Sequence, residues 1–206
     1  MGQDEICGLE QWPDTLACIT GGIGSGKSVI SQVLRLRGFD VYDCDSRAKQ
    51  LMETDEKLRH ELEKLAGSEI YFPDGTLDRK RLASLIFSSN TLRVQVNRLV
   101  HKTVREDIVC WRGGNHADRR LFVETAIPVA SGLMAMVDRI WVVVAPESLR
   151  LARACRRDSA SEEAVLSRMQ TQRSEFSSLP PDITDRIIND GKTPVLTQID
   201  NLLKIL

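Results

Sequence analysis

The chain has 206 residues, 42% hydrophobic and 28% charged, with a formal net charge of -1. That balance suits a folded domain with embellishments and a sizeable core. It argues against a general nucleic-acid binder, whose phosphate contacts need a positive excess. No apolar run approaches the roughly 20 residues of a membrane span, and the polar, acidic opening MGQDEICGLEQWPD does not read as a secretory leader. The five cysteines (Cys7, Cys18, Cys44, Cys110 and Cys155) are scattered and form no C-x-x-C pair. Neither a zinc site nor a disulfide framework is expected, and a reduced, cytoplasmic setting is.

Residues 1–14 read as a loose N-terminal extension, ahead of one domain over 15–206. The apolar run 16–20 predicts a buried strand. A glycine-rich stretch follows. Residues 28–37 then read as a helix, with Val29, Ile30, Val33, Leu34 and Leu36 at helical spacing and Gly38 as its stop. Residues 39–43 predict a second strand. Strand, loop, helix, strand argues a parallel sheet with a right-handed crossover. Residues 46–115 read as mostly helical, interrupted by the turn signal YFPDGT at 71–76. A long helix from about Thr91 carries Leu92, Val96, Leu99, Val100 and Val104 along one face.

Residues 121–126 and 140–145 are strand candidates, and their continuous apolar character suits a sheet covered on both faces. Two helices are expected over 147–157 and 162–173, the second opened by Ser161 as N-cap. A joint over 177–181, a short last strand at Ile187-Ile188 and a helix capped by Thr193-Pro194 complete the chain. The expected fold is a three-layer α/β/α arrangement with a five-stranded parallel sheet. No oligomeric state is legible.

Gly21-Gly22-Ile23-Gly24-Ser25-Gly26-Lys27-Ser28 matches G-x-x-x-x-G-K-[ST], between an expected strand and an expected helix. In a P-loop of this kind the backbone N–H groups of Gly22, Ile23, Gly24, Ser25, Gly26, Lys27, Ser28 and Val29 would cradle phosphate at a helix N-terminus. Lys27 would reach the β- and γ-phosphates of ATP, and the Ser28 hydroxyl would ligate Mg²⁺. GTPases add D-x-x-G and N-K-x-D; neither string occurs here, which favours a small-molecule kinase.

Asp43 and Asp45 follow the second expected strand, at the end where open parallel sheets bind ligands. Two apart on an extended chain, they would point the same way. They could orient or deprotonate an acceptor hydroxyl or hold Mg²⁺ through water. They equally suit a turn and a helix cap. Arg150, Arg153 and Arg157 share a helix face, with Arg168 and Arg173 on the next helix. Such arginines can close on a transferring phosphate as a helical lid over about 147–175. The alternative is a solvated basic face.

These strings together resemble the dephospho-coenzyme A kinase family. The resemblance rests on TGGIGSGKS (20–28), VYDCD (41–45), R-x-x-x-R-D (153–158) with Arg168-Met169-x-x-Gln172, and Ile187-Ile188-Asn189-Asp190-Gly191. PDGTLDRKRLASLIF (73–87) resembles the family's helical substrate region. The resemblance implies transfer of the ATP γ-phosphoryl to the 3′-hydroxyl of dephospho-coenzyme A, the last step of coenzyme A biosynthesis. It implies Asp45 as base or orienter, with Asp43, His101 and Arg153 at the acceptor, Arg157 as a lid arginine, and Asn189 near the adenine. The helical stretch 46–115 would bind the acceptor.

Two positions depart from the family's pattern. Lys102 follows His101 where the family has proline, and His101 also suits a solvated helix face. Aligned on Ser131-Gly132, Ala130 replaces a glutamate, with Glu124 the candidate to compensate. A kinase for another nucleoside or small alcohol, or a nucleotide-binding homologue of low turnover, are the alternatives these departures leave open.

Overall fold

The computed structural model describes residues 15–206. The expected extension over 1–14, with Cys7, lies outside them. In order run β1 (Thr15–Thr20), α1 (Lys27–Leu36), β2 (Val41–Asp43), α2 (Cys44–Thr54), α3 (Glu56–Ala66), α4 (Arg79–Ser88), α5 (Asn90–Arg112), β3 (Arg120–Glu124), β4 (Arg139–Val144), α6 (Glu147–Asp158), α7 (Glu162–Thr171), α8 (Arg173–Ser177), β5 (Thr184–Ile188) and α9 (Val195–Leu203). They divide into two compact units. One ends its first segment at Asp43 and resumes over Arg112–Leu206; the other is Cys44–Trp111.

The first unit holds a five-stranded sheet, order β2-β3-β1-β4-β5, parallel throughout, with helices on both sides. The Val-, Ile- and Leu-rich runs of β1, β3 and β4 are buried almost end to end, as strands covered on both faces must be. Ile30 and Leu34 of α1 and Ile199 of α9 pack with Ala17, Ile19, Phe122, Trp141, Val143 and Ile187. Phe122 sits between Phe39, edge-on at 5.6 Å, and Trp141 at 5.1 Å between ring centroids. Asp138 fixes the start of β1. Its carboxylate accepts the Leu16 N–H at 2.7 Å, and its own N–H reaches the Leu16 carbonyl at 2.9 Å.

In the second unit α5 buries Val96, Val100, Val104 and Ile108, one face at a four-residue spacing. Arg47 of α2 grips Asp107 of α5 with two parallel hydrogen bonds of 2.7 and 2.8 Å. The expected YFPDGT turn is present. The Phe72 N–H donates to the Thr76 carbonyl at 2.9 Å, and the Asp74 carboxylate takes the Thr76 N–H at 2.9 Å. No helix among the described residues is long and apolar enough to cross a membrane.

Three expectations move. The last strand is five residues rather than two, because Thr184, Asp185 and Arg186 belong to a half-exposed edge strand that lacks an apolar signature. The helix expected over 162–173 breaks at Gln172 into α7 and α8, so the supposed joint at 177–181 begins inside a helix. Thr193 does not cap α9. Asp190 instead accepts the Lys192 and Thr193 N–H groups at 2.9 and 2.8 Å.

Phe122 is fully buried among aromatic neighbours. Phe122→Ala should therefore cost about 3–5 kcal/mol. The measurement is the shift in urea midpoint; a change under about 1 kcal/mol would contradict this placement of the core.

Candidate active site

The predicted loop runs from the buried end of β1 into the N-terminus of α1. Gly24 and Gly26 have φ of +75° and +97°, a region L side chains avoid. Space gives a second reason. A Cβ on Gly24 would strike the Arg150 backbone carbonyl, and one on Gly26 the Asn189 amide. Inside the loop the Ser25 N–H donates to the Gly22 carbonyl at 3.0 Å, and Ser25 is fully buried. The Lys27 ammonium lies on the Gly21 carbonyl at 2.8 Å. Val29 is exposed, and its N–H already closes the first helical turn onto Gly26 at 3.0 Å.

The Ser28 hydroxyl donates to Glu124 Oε1 at 3.0 Å. Glu124 ends β3, only 8% exposed, and pairs in register with Asp43 at the end of β2. Hydroxyl and carboxylate oxygens are the donors a hard divalent cation takes. Asp45 does not sit on extended chain as expected, because α2 begins at Cys44. Asp45 is exposed in its first turn, where a negative charge is favoured by the helix dipole. The shared direction inferred for Asp43 and Asp45 therefore lapses: Asp43 ends β2 and Asp45 lies in the first turn of α2. His101 is half-buried on α5.

The arginines divide. The Arg150 guanidinium lies against Gly22. Arg153 donates to the Asn189 carbonyl at 3.1 Å, while the Asn189 side-chain amide donates to the Ser25 carbonyl at 2.8 Å. Arg157 turns away to Asp158, at 2.7 and 3.2 Å, and Arg168 joins the same carboxylate at 2.9 Å. Hydrogen bonds from Arg157 and then Arg168 hold the Asp158 carboxyl down to about 2. A cavity of about 410 Å³ opens beside Gly22, lined also by Arg150, Val142, Val144, Phe176 and Thr184.

Three contacts were not foreseen in these roles. Glu124 holds Ser28. Gln172 accepts the Ile23 N–H at 3.0 Å. Glu175 accepts the Val129 N–H at 2.9 Å and the Ala130 N–H at 3.2 Å. The R-M-x-x-Q string carried the signal for Gln172. Nothing local in the sequence pairs Glu175 with residues 129–130.

A five-stranded parallel sheet whose first strand feeds G-x-x-x-x-G-K-S into a helix defines a P-loop nucleotide-binding fold of the kinase type. The dephospho-CoA kinase family model matches residues 15–193. The dephospho-CoA kinase of Bacteroides fragilis is 40% identical over 188 residues, 91% of each chain. That of Porphyromonas gingivalis is 39% identical over 186 residues, 90% of this chain and 91% of the relative. Among solved structures, TT1252 from Thermus thermophilus superposes with TM-score 0.76 at 29% identity, covering 95% of this chain and 96% of that one. The dephospho-CoA kinase of Campylobacter jejuni shares the fold, with TM-score 0.62 at 21% identity, over 92% of this chain and 94% of that one. The chain belongs to the dephospho-CoA kinase family.

A carboxyl lowered by its arginines stays ionised and able to pair with them above the usual aspartate value, and is protonated only as pH falls through about 2. Carboxyl NMR titration should place Asp158 there, and Arg157→Ala or Arg168→Ala should raise its midpoint. An ordinary midpoint near 3.9 in the unmodified chain would refute the cluster.

Proposed function

We propose that this chain transfers the γ-phosphoryl of ATP to the 3′-hydroxyl of dephospho-coenzyme A, releasing coenzyme A and ADP. Family membership spanning the folded chain carries the reading, and the loop with Lys27 and Ser28 supplies its chemistry. The reaction is an in-line displacement. The oxygen–phosphorus bond to the acceptor forms as the bond to the ADP oxygen breaks, and the hydroxyl proton leaves to a base. Nothing covalent is asked of the protein; positioning and charge neutralisation suffice.

In this reading the N–H groups of Gly24, Gly26, Lys27 and Ser28 hold the phosphates, since those of Ile23, Ser25 and Val29 already have protein acceptors, and Lys27 leaves the Gly21 carbonyl for the β- and γ-phosphate oxygens. Ser28 and Glu124 would hold Mg²⁺, which would supply charge neutralisation at the phosphates. Glu124 thereby takes up the acidic duty that Ala130 cannot perform. Asp45 receives or orients the acceptor hydroxyl proton. Asp43, His101 and Arg153 serve acceptor binding, and the helical region 46–115 is its scaffold. Helices α6 to α8 form the lid. Arg157, paired with Asp158 in this structure, turns to the transferring phosphoryl when the lid closes. The turn at 189–191 borders the adenine. The cytoplasm is the expected compartment. A kinase for a different alcohol gains no support from any contact in the site.

The decisive experiment is ADP release with and without dephospho-coenzyme A. Strong stimulation by that acceptor is expected, and none would overturn the reading. Lys27→Ala should abolish transfer. Asp45→Asn should lower kcat by about 10²–10⁴ with ATP affinity nearly intact; normal turnover in that variant would remove Asp45 from its role. Glu124→Gln keeps an acceptor for Ser28 but drops the charge. It should raise the half-saturating Mg²⁺ concentration by about 10–100-fold. An unchanged Mg²⁺ dependence would exclude Glu124 from the metal site.

A further inference from the structure

Two carboxamide side chains reach the phosphate loop from distant parts of the chain, and they do so with opposite polarity. Gln172, at the break between α7 and α8, presents Oε1 to the Ile23 N–H at 3.0 Å. Asn189, just after β5, presents Nδ2 to the Ser25 carbonyl at 2.8 Å. Neither orientation is arbitrary. An N–H can be met only by the carboxamide oxygen, and a carbonyl only by its nitrogen.

We propose that Gln172 and Asn189 are positioning residues that set two peptide planes of the phosphate loop, and with them the direction of its N–H groups, before nucleotide arrives. A trans peptide is planar, so its C=O and N–H point to opposite sides. The peptide between Gly22 and Ile23 is held at both ends: its carbonyl takes the Ser25 N–H at 3.0 Å, and its N–H is taken by Gln172. The peptide between Ser25 and Gly26 has its carbonyl drawn to Asn189, so the Gly26 N–H must face the other way.

Each brace is itself anchored. The Asn189 N–H donates to the Val144 carbonyl at 2.8 Å, and its carbonyl accepts from Arg153 at 3.1 Å. Three residues beyond Gln172, the buried Glu175 carboxylate takes the Val129 N–H at 2.9 Å, which fastens α8 to the loop after β3. Gly26 lies so close under the Asn189 amide that any side chain there would displace it. The Asn189 amide is thus committed to the loop rather than to the base of the nucleotide. A loop held in its binding shape spends less of the phosphate interaction on ordering itself.

The inference rests on the phosphate loop binding ATP, and its test reads that binding directly, apart from the choice of acceptor. Isothermal titration calorimetry of the full chain with MgATP, MgGTP and inorganic tripolyphosphate compares Gln172→Glu, Gln172→Ala, Asn189→Asp and Asn189→Ala. The polarity rule predicts asymmetry. Gln172→Glu still accepts from Ile23 and should stay within about threefold, while Gln172→Ala should lose about tenfold. Asn189→Asp replaces the donor with an acceptor facing a carbonyl and should lose at least about tenfold, as much as Asn189→Ala or more. For each variant the loss should be parallel across the three ligands. A loss confined to ATP at Asn189 would make it a base reader and overturn the proposal. So would equal losses for Gln172→Glu and Gln172→Ala. Should an Asn189 variant not fold, the Gln172 pair decides alone. An unmodified chain that binds none of the three ligands overturns the phosphate-loop assignment and this inference with it. One that binds them but shows no stimulation by dephospho-coenzyme A overturns only the choice of acceptor.

Discussion

A phosphate loop must point several backbone N–H groups at one place before any anion is there to reward them. Aligned peptide dipoles repel, so the shape has to be imposed from outside. Much of the first unit serves that end. β1 delivers the loop from the middle of the sheet, between β3 and β4, where its strand has no freedom. The positive φ values at Gly24 and Gly26 allow the curl. Arg150 crowds the loop at Gly22 and Gly24, while Gln172 accepts the Ile23 N–H and Asn189 donates to the Ser25 carbonyl. Lys27 rests on the Gly21 carbonyl at 2.8 Å, so its ammonium has a local acceptor within the loop. A bond from a cationic donor is stronger than a neutral one, which limits the cost of holding an ammonium inside the loop.

The same sheet edge gathers the acidic groups. Parallel pairing brings the ends of β2 and β3 into register, so Asp43 and Glu124 lie side by side next to the helix that carries Ser28. Ligand chemistry at the carboxyl ends of parallel strands follows from this geometry, since every strand releases its chain on the same side. Positive loop, hydroxyl and carboxylates therefore come from three separate stretches of sequence and owe their proximity to strand order.

Much of this was legible because the local signals were strong. The loop has a dense glycine pattern tied to a fixed function, and the central strands are apolar runs too continuous for a half-exposed sheet. The place of Lys27 and Ser28 at the head of α1 follows from spacing alone. β5 was underestimated because Thr184, Asp185 and Arg186 alternate without an apolar face, as an edge strand allows. The common direction expected of Asp43 and Asp45 lapsed for a local reason: α2 starts at Cys44, two residues before the expected helix at 46, and helix geometry replaces the period of two. Glu175 could not be placed at all, and Gln172 was marked only by the R-M-x-x-Q string, which does not name its partner. Their partners are backbone N–H groups, which leave no trace in residue identity, and they lie 149 and 46 positions away for Ile23 and Val129.

Ala130 shows how these contacts change the meaning of a departure. Read along the string, the missing glutamate is a loss of acidic chemistry. In the structure the turn is still organised around a buried carboxylate, but Glu175 supplies it from α8, accepting the N–H groups of Val129 and Ala130. A carboxylate engaged by two backbone donors is well satisfied where it is and gains little by moving to a cation. Two carboxylates thus serve two separate contacts here. Glu175 shapes the turn and ties it to the helices that reach the phosphate loop, and Glu124 keeps its oxygen on Ser28, where a metal would need it. The substitution that departs most from the family's pattern thus falls in a turn that Glu175 already holds.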